Sequence, residues 1–213
     1  MSALQQVLLG YGGAAGGPTY ATWNPSDKSS DITLSGSDLV ATRGAAANAF
    51  RSVRATISKT AGKWYFEFTR SAGSDKSHIM FGMMLGSTSL SQYPGQVSTG
   101  IGNQPLNTTD VNRYQNGFNN TINGQLDVGI GGVFQIAVDM DNLKVWCRVV
   151  GATNWMGNGD PASGTNQTFT LPGATAIFPA VGLFSNTTAV TANFGASSFS
   201  GTVPSGFNAG WYT

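Results

Sequence analysis

The stretch Lys63-Trp-Tyr-Phe-Glu-Phe-Thr69 places four aromatic residues in seven positions, a density that suits a β-strand. Ile79-Met-Phe-Gly-Met-Met-Leu85 follows as a second apolar run, as expected of a central strand. Further along, Val133-Phe-Gln-Ile-Ala-Val-Asp139 and Lys144-Val-Trp-Cys-Arg-Val-Val150 flank Met140 to Leu143 and predict a hairpin. Ile177-Phe-Pro-Ala-Val-Gly-Leu-Phe184 and Ala189-Val-Thr-Ala-Asn-Phe194 predict another strand pair. Asn116-Gly117 and Asn123-Gly124 are turn signals. On the N-terminal side, Ile32 and Leu34 alternate with Thr33 and Ser35. The expectation is an all-β, two-sheet antiparallel β-sandwich over residues 18–213, with no internal repeat and no second domain.

Composition agrees with that reading. Gly occurs 29 times in 213 residues, and Glu67 is the only Glu. Charged residues make up 10% of the chain, against about 25% in ordinary domains. None precedes Asp27 and none follows Asp160. Two readings follow: a surface of Ser, Thr, Asn and Gln, or a surface covered by neighbours, because interface cores are depleted of charge. The net charge of +1 supplies no general attraction for nucleic acid or acidic lipid. No apolar run has the length of a membrane span, and no Lys or Arg precedes the first apolar stretch as in a secretory signal. The expected chain is soluble and made in a reducing compartment, where Cys147 stays an inert thiol sharing a strand face with Val145 and Val149.

Residues 1–17 differ from the rest. Leu4, Val7, Leu8 and Tyr11 fall on one face of a short helix, and glycines at 12, 13, 16 and 17 form a joint before Pro18. So short a helix needs a packing partner. It either folds back on the sandwich or docks on another protein, and the glycine joint favours docking.

Residues 86–130 are rich in polar residues and read as loops at one end of the sandwich, where binding residues concentrate. Tyr93, Arg113 and Tyr114 there, with Trp155 after the hairpin, are the candidate binding residues, since loop aromatics stack on sugar rings or anchor protein contacts.

Catalytic and metal chemistry find little support. Asp139, Asp141 and Asn142 suggest a calcium loop, but counting from Asp139 the required Gly and Glu positions hold Lys144 and Val150. A tight turn explains them better. His78 is the only His and reads as a strand start. A single Glu excludes a Glu–Glu acid/base pair, so Glu67 reads as an outward or cross-strand-paired residue. Arg43, Arg51, Arg54, Lys59 and Lys63 form a basic stretch without an acid between them, read as a solvated face or as contacts to acidic neighbours. No cofactor or metal is expected.

Several segments resemble the SPRY family in the right order. They are Gly62-Lys-Trp-Tyr-Phe-Glu-Phe68, Gly132-Val-Phe-Gln-Ile-Ala-Val-Asp-Met-Asp-Asn142, Phe178-Pro-Ala-Val181, Asn193-Phe-Gly195 and Val203-Pro-Ser-Gly-Phe207. The resemblance implies a concanavalin-like jelly-roll sandwich that binds, usually peptides, and is not an enzyme. The segment Gly151-Ala-Thr-Asn-Trp-Met-Gly157 departs from the animal pattern, so the animal peptide site is not carried over. The variant looks more like SPRY-like modules of tailed bacteriophages. The opening Met1-Ser-Ala-Leu-Gln-Gln-Val-Leu-Leu9 is similar to the starts of some phage tail appendage proteins. This resemblance implies a non-enzymatic virion structural protein. Its expected partners are other phage structural proteins, a host surface protein or glycan, and further copies of itself. A capsid decoration protein and a free peptide-binding adaptor are the alternatives.

Overall fold

A computed structural model describes residues 17–44, 48–106, 110–123, 125, 127–173 and 175–213. The proposed docking residues Leu4, Val7, Leu8 and Tyr11, and Gly124 of the second turn signal, lie outside the described residues. The strands are β1 (Trp23–Lys28), β2 (Ile32–Ser35), β3 (Val40–Arg43), β4 (Arg51–Ala55), β5 (Lys63–Ala72), β6 (Ile79–Leu85), β7 (Gly100–Pro105) and β8 (Val111–Gln115). They continue with β9 (Phe118–Ile122), β10 (Val133–Asp139), β11 (Lys144–Val149), β12 (Phe169–Thr170), β13 (Ile177–Leu183), β14 (Ala189–Asn193) and β15 (Asn208–Ala209).

They form two sheets. The first has seven strands in the order β1-β4-β13-β6-β7-β8-β9. The second has eight, in the order β12-β11-β10-β5-β14-β3-β2, with β15 added to β5. All named pairs are antiparallel except β15 with β5. The expected two-sheet antiparallel sandwich is therefore the fold.

Strand β5 shows why the aromatic run folds this way. Phe66 and Phe68 point into the space between the sheets, while Tyr65 and Glu67 point away from it. The ring of Phe68 lies 5.3 Å from Trp23 and 6.0 Å from Phe81, both in the opposite sheet. Phe81 in turn stacks on Phe134 at 5.0 Å. The outer side of β5 is also buried. Tyr65, Ala137 and Trp146 pack there against Trp155, Phe207, Phe199 and Val203. Glu67 lies beneath this cover. Its carboxylate accepts the Tyr65 hydroxyl at 2.6 Å and the N–H groups of Ser200 at 2.9 Å and Gly201 at 2.7 Å. It faces away from the sandwich core as expected, but it is buried under a strap contributed by the chain near residue 200.

The expected hairpin of β10 and β11 forms, with Asp139 opposite Lys144. The other expected pair does not form. Strand β13 lies between β4 and β6 in the first sheet, and β14 lies between β5 and β3 in the second. The short link between them passes from one sheet to the other. Strand β13 is buried on both faces, so it takes a central place with two partners. A link of that length serves a hairpin and a crossover equally well.

Residues 86–130 are not a set of loops either, since they contain β7, β8 and β9. The Asn116-Gly117 signal makes the hairpin turn between β8 and β9, with φ of 55° and 73°. Most of the basic stretch is paired with acids of its own chain, while Lys59 donates to the Tyr212 carbonyl. Arg54 grips Asp27 at 2.7 Å through two nitrogens, Arg51 meets Asp31 at 2.9 Å, and Lys63 meets Asp139 at 3.3 Å. These partners precede or follow the stretch and are delivered by β1, by the β1–β2 turn and by the end of β10.

Replacing Phe68 by Ala removes the ring that joins β1, β5 and β6. We expect a loss of about 3–5 kcal/mol in urea denaturation with little change in m-value.

Candidate functional site

The two edges of the sandwich differ. On one side β1 and β2 come together, and the Lys28 ammonium donates to the Ile32 carbonyl at 2.8 Å. On the other side β9 ends the first sheet and the two-residue β12 ends the second. The space between the sheets opens there.

Strand alternation fixes what faces the opening. Asn103 of β7, Arg113 of β8 and Asn120 of β9 are in register, and Gln115 pairs with Phe118 at the hairpin end. These residues lie on the face turned towards the second sheet, where Ile101 and Val111 continue the core. Thus the inward positions change from apolar to polar within three strands. Arg113 Nη1 donates to the Thr168 carbonyl at 2.9 Å, and Gln115 Nε2 donates to the Thr170 carbonyl at 2.7 Å. These bonds hold the hairpin against residues 167–170 and leave a cavity of about 440 Å³ lined by Arg113, Gln115, Phe118, Asn120, Gln167 and Thr170 among others. Phe118 is 78% exposed and forms part of its wall.

A second cavity of about 400 Å³ lies further along β9, between Ile122 and Asn123 on one wall and residues 151–158 on the other. Trp155 belongs to it. Its ring is largely buried beneath the Arg148 guanidinium, 4.5 Å away, and Arg148 is itself held by two bonds to Gln135 Oε1 at 2.9 and 3.0 Å. Among the described residues no carboxylate lines either cavity.

The free edge of β11 beside these cavities is capped by side chains. The Cys147 N–H donates to Thr168 Oγ1 at 3.0 Å, and the Val149 N–H donates to Gln125 Oε1 at 3.5 Å. Cys147 faces inward with Val145 and Val149, as expected, and burial pushes its thiol up to about 12, so it stays protonated at neutral pH.

The four candidate binding residues do not form one site. Tyr93 and Tyr114 meet edge to face at 5.7 Å, but on the outer surface of the first sheet. Tyr114 is on a strand, and its hydroxyl donates to Gln104 Oε1 at 3.0 Å. Tyr93 is not a projecting loop residue. The segment carrying it lies on the sheet over Gly82, Gly102 and Gly182. A Cβ on Gly102 would stand 2.1 Å from the Pro94 carbonyl oxygen, so only glycine admits the loop. Arg113 and Trp155 line the two neighbouring cavities instead. Sequence reasoning missed Gln115, Phe118, Asn120 and the 167–170 wall. The signal was available in the Asn116-Gly117 turn, which makes a hairpin and so alternates Arg113, Gln115, Phe118 and Asn120 onto one face.

The structure also brings His78 to Ser185, with Nδ1 2.7 Å from Oγ. Asp75 Oδ2 is 3.8 Å from Nε2, beyond hydrogen-bond reach, and Asp75 Oδ1 accepts the N–H and hydroxyl of Ser77. A catalytic base oriented by a carboxylate is therefore not assembled, and neither cavity includes these residues.

Asp139 serves the turn, as expected. Its Oδ1 accepts the N–H groups of Asp141 and Asn142 at 3.1 and 3.0 Å, and Oδ2 accepts Asn142 Nδ2 at 2.9 Å.

The fold is that of the SPRY-type β-sandwich. The SPRY domain of human HERC1 matches with a TM-score of 0.63 at 14% identity, covering 80% of this chain and 96% of that one. The PSpry domain of TRIM65 matches with a TM-score of 0.61 at 15% identity, covering 82% and 92%. Stonustoxin matches with a TM-score of 0.57 at 14% identity, covering 82% of this chain and 27% of that one. No family model matches the chain, and no curated protein sequence does.

Burial raises the Asp139 carboxyl, but the bonds from Asn142 and the Lys63 ammonium together outweigh it and hold the group below its ordinary value. Its contribution to stability is thus present above the unfolded value of about 3.9 and lost as pH falls through the lower folded value. We expect Asp139→Asn to cost about 1.5–3 kcal/mol at neutral pH. The difference from the parent should shrink below about pH 4, as read from urea denaturation across that range.

Proposed function

We propose that the chain is a non-enzymatic structural protein of a tailed-bacteriophage particle. In this reading it is a tail-associated appendage whose sandwich contacts the host surface or a neighbouring particle protein. The observation that carries the binding role is the opening between β9 and residues 167–170. An exposed aromatic ring there is surrounded by amide, hydroxyl and guanidinium groups. That combination suits a ligand with apolar faces and many hydroxyl or amide groups, such as a glycan or a peptide main chain.

Absence of catalysis is supported by where the acids lie. The single Glu is buried under the strap near residue 200, its carboxylate taken by three donors. Glycoside hydrolysis needs two carboxyl groups flanking the sugar bond, and neither cavity wall offers one among the described residues. Placement in a particle is supported by the opening segment, by the SPRY-like resemblance and by the scarcity of charge.

Two measurements test this reading. Antibody raised against residues 18–213 is expected to label the tails of purified particles in electron microscopy. Label spread over the head would replace the appendage with a decoration protein, and absence of label would remove the chain from the particle. The fluorescently labelled chain is expected to bind cells of the host. Combining Arg113→Ala with Phe118→Ala should weaken that binding by about tenfold or more. Equal binding by parent and variant would rule out the opening as the contact.

A further inference from the structure

Strand β9 is an edge without a guard. It ends the first sheet, and Phe118, Asn119, Asn120 and Thr121 are all exposed. It contains no Pro and no charged residue. The opposite edge of the same sheet is protected in the usual ways. Strand β1 carries Pro25, Asp27 and Lys28, shifts register between Trp23 and Lys28, and is tied to β2 through Lys28. In the second sheet β12 is only two residues long, and the adjoining β11 edge is capped by Thr168 and Gln125.

The hairpin decides which backbone groups β9 offers. With a two-residue turn, Gln115 and Phe118 form the hydrogen-bonded closing pair. Bonding then alternates along an antiparallel ladder. Phe118, Asn120 and Ile122 bond inwards to β8, while Asn119 and Thr121 present N–H and C=O to the free edge.

The order Phe118-Asn-Asn-Thr-Ile122 is self-complementary under a twofold axis. With two copies antiparallel and centred on Asn120, Asn119 of each faces Thr121 of the other. These are the residues with outward backbone groups, so each pair exchanges two hydrogen bonds, four in total. Phe118 of each copy falls opposite Ile122 of the other on one face, an aromatic–β-branched pairing. Asn120 faces Asn120 at the axis. We propose that β9 joins two copies of this chain edge to edge, making one continuous fourteen-stranded sheet. Residues directly opposite in such a ladder share a face, so the openings beside Arg113 in both copies turn to the same side. A dimer with two adjacent, like-oriented openings results, closed by its symmetry.

Cysteine cross-linking reads the register. Asn120 is the central non-hydrogen-bonded pair, with Cα atoms about 4.5 Å apart, within the range a disulfide spans. The native Cys147 is buried and protonated at neutral pH and does not interfere. Under a mild oxidant the full chain with Asn120→Cys is expected to give a covalent dimer at least about tenfold faster than Thr121→Cys, whose symmetry mate lies opposite Asn119. In sedimentation velocity on the parent, a short edge of this size should give weak, concentration-dependent dimerisation. Asn120→Lys, which sets like charges face to face at an exposed position, should abolish it without altering thermal unfolding. Equal cross-linking of the two cysteine variants would overturn the proposal. So would a parent that stays monomeric up to about 1 mM, or a dimer indifferent to Asn120→Lys. None of these readings depends on where the chain resides or on what the opening binds.

Discussion

The inward face of the seven-stranded sheet is not uniformly apolar, and the rest of the molecule follows from that. Around Phe68 the two sheets are joined by rings from both sides, with Trp23 and Phe81 in contact distance. Across the next three strands, the same face presents Asn103, Arg113 and Asn120 in turn. Aromatic faces bring sheets together by excluding water, whereas guanidinium and amide groups remain wet or must be satisfied one by one. The sandwich therefore seals at β1 and β2 and gapes at β9 and β12. The bonds from Arg113 and Gln115 to the carbonyls of Thr168 and Thr170 set how wide it gapes. The opening is a property of where the core ends, built into two neighbouring strands.

Segments whose own residues decide their structure were legible in the sequence. The aromatic run at 63–69, the hairpin across Met140–Leu143, the Asp139 turn and the Asn116-Gly117 turn all depend on local pattern or local hydrogen bonding, and the structure has them. The two-sheet sandwich followed from such pieces. What the sequence concealed depends on distant partners. Strands β13 and β14 adjoin along the chain but serve different sheets. Strand β7, Gly100-Ile-Gly-Asn-Gln-Pro105, has two glycines and a proline and a weak strand signal. Yet Gly102 is where the backbone at Pro94 crosses the sheet, and a side chain there would block it. Tyr93 read as a loop aromatic for the same reason, because nothing local announces that its loop rests on a sheet.

The candidate site was legible in part. Arg113 and Trp155 line the two cavities along β9, whereas Tyr93 and Tyr114 support the outer surface. Composition alone selects aromatics and cations. It does not say which face of a strand they occupy, and in an antiparallel sheet adjacent residues such as Arg113 and Tyr114 point to opposite faces. Once the hairpin turn is fixed, face assignment follows from counting.

Scarcity of charge takes on a sharper meaning with the structure in hand. Asp27, Asp31, Asp127 and Asp139 are committed to Arg54, Arg51, Lys76 and Lys63 within the chain. Lys28, Lys59, Arg70, Arg113, Lys144 and Arg148 donate instead to carbonyl or amide oxygens, and Arg113 and Arg148 do so beside the two cavities. Charge is sparse and its net value is only +1, so electrostatic acceleration of encounter is not this surface's means of recognition. Contacts here must come from hydrogen bonding and shape at close range, through Asn, Gln and Thr side chains, one exposed ring and an unpaired strand edge. Such contacts are individually weak and short-ranged. They gain strength from repetition when several copies are held side by side.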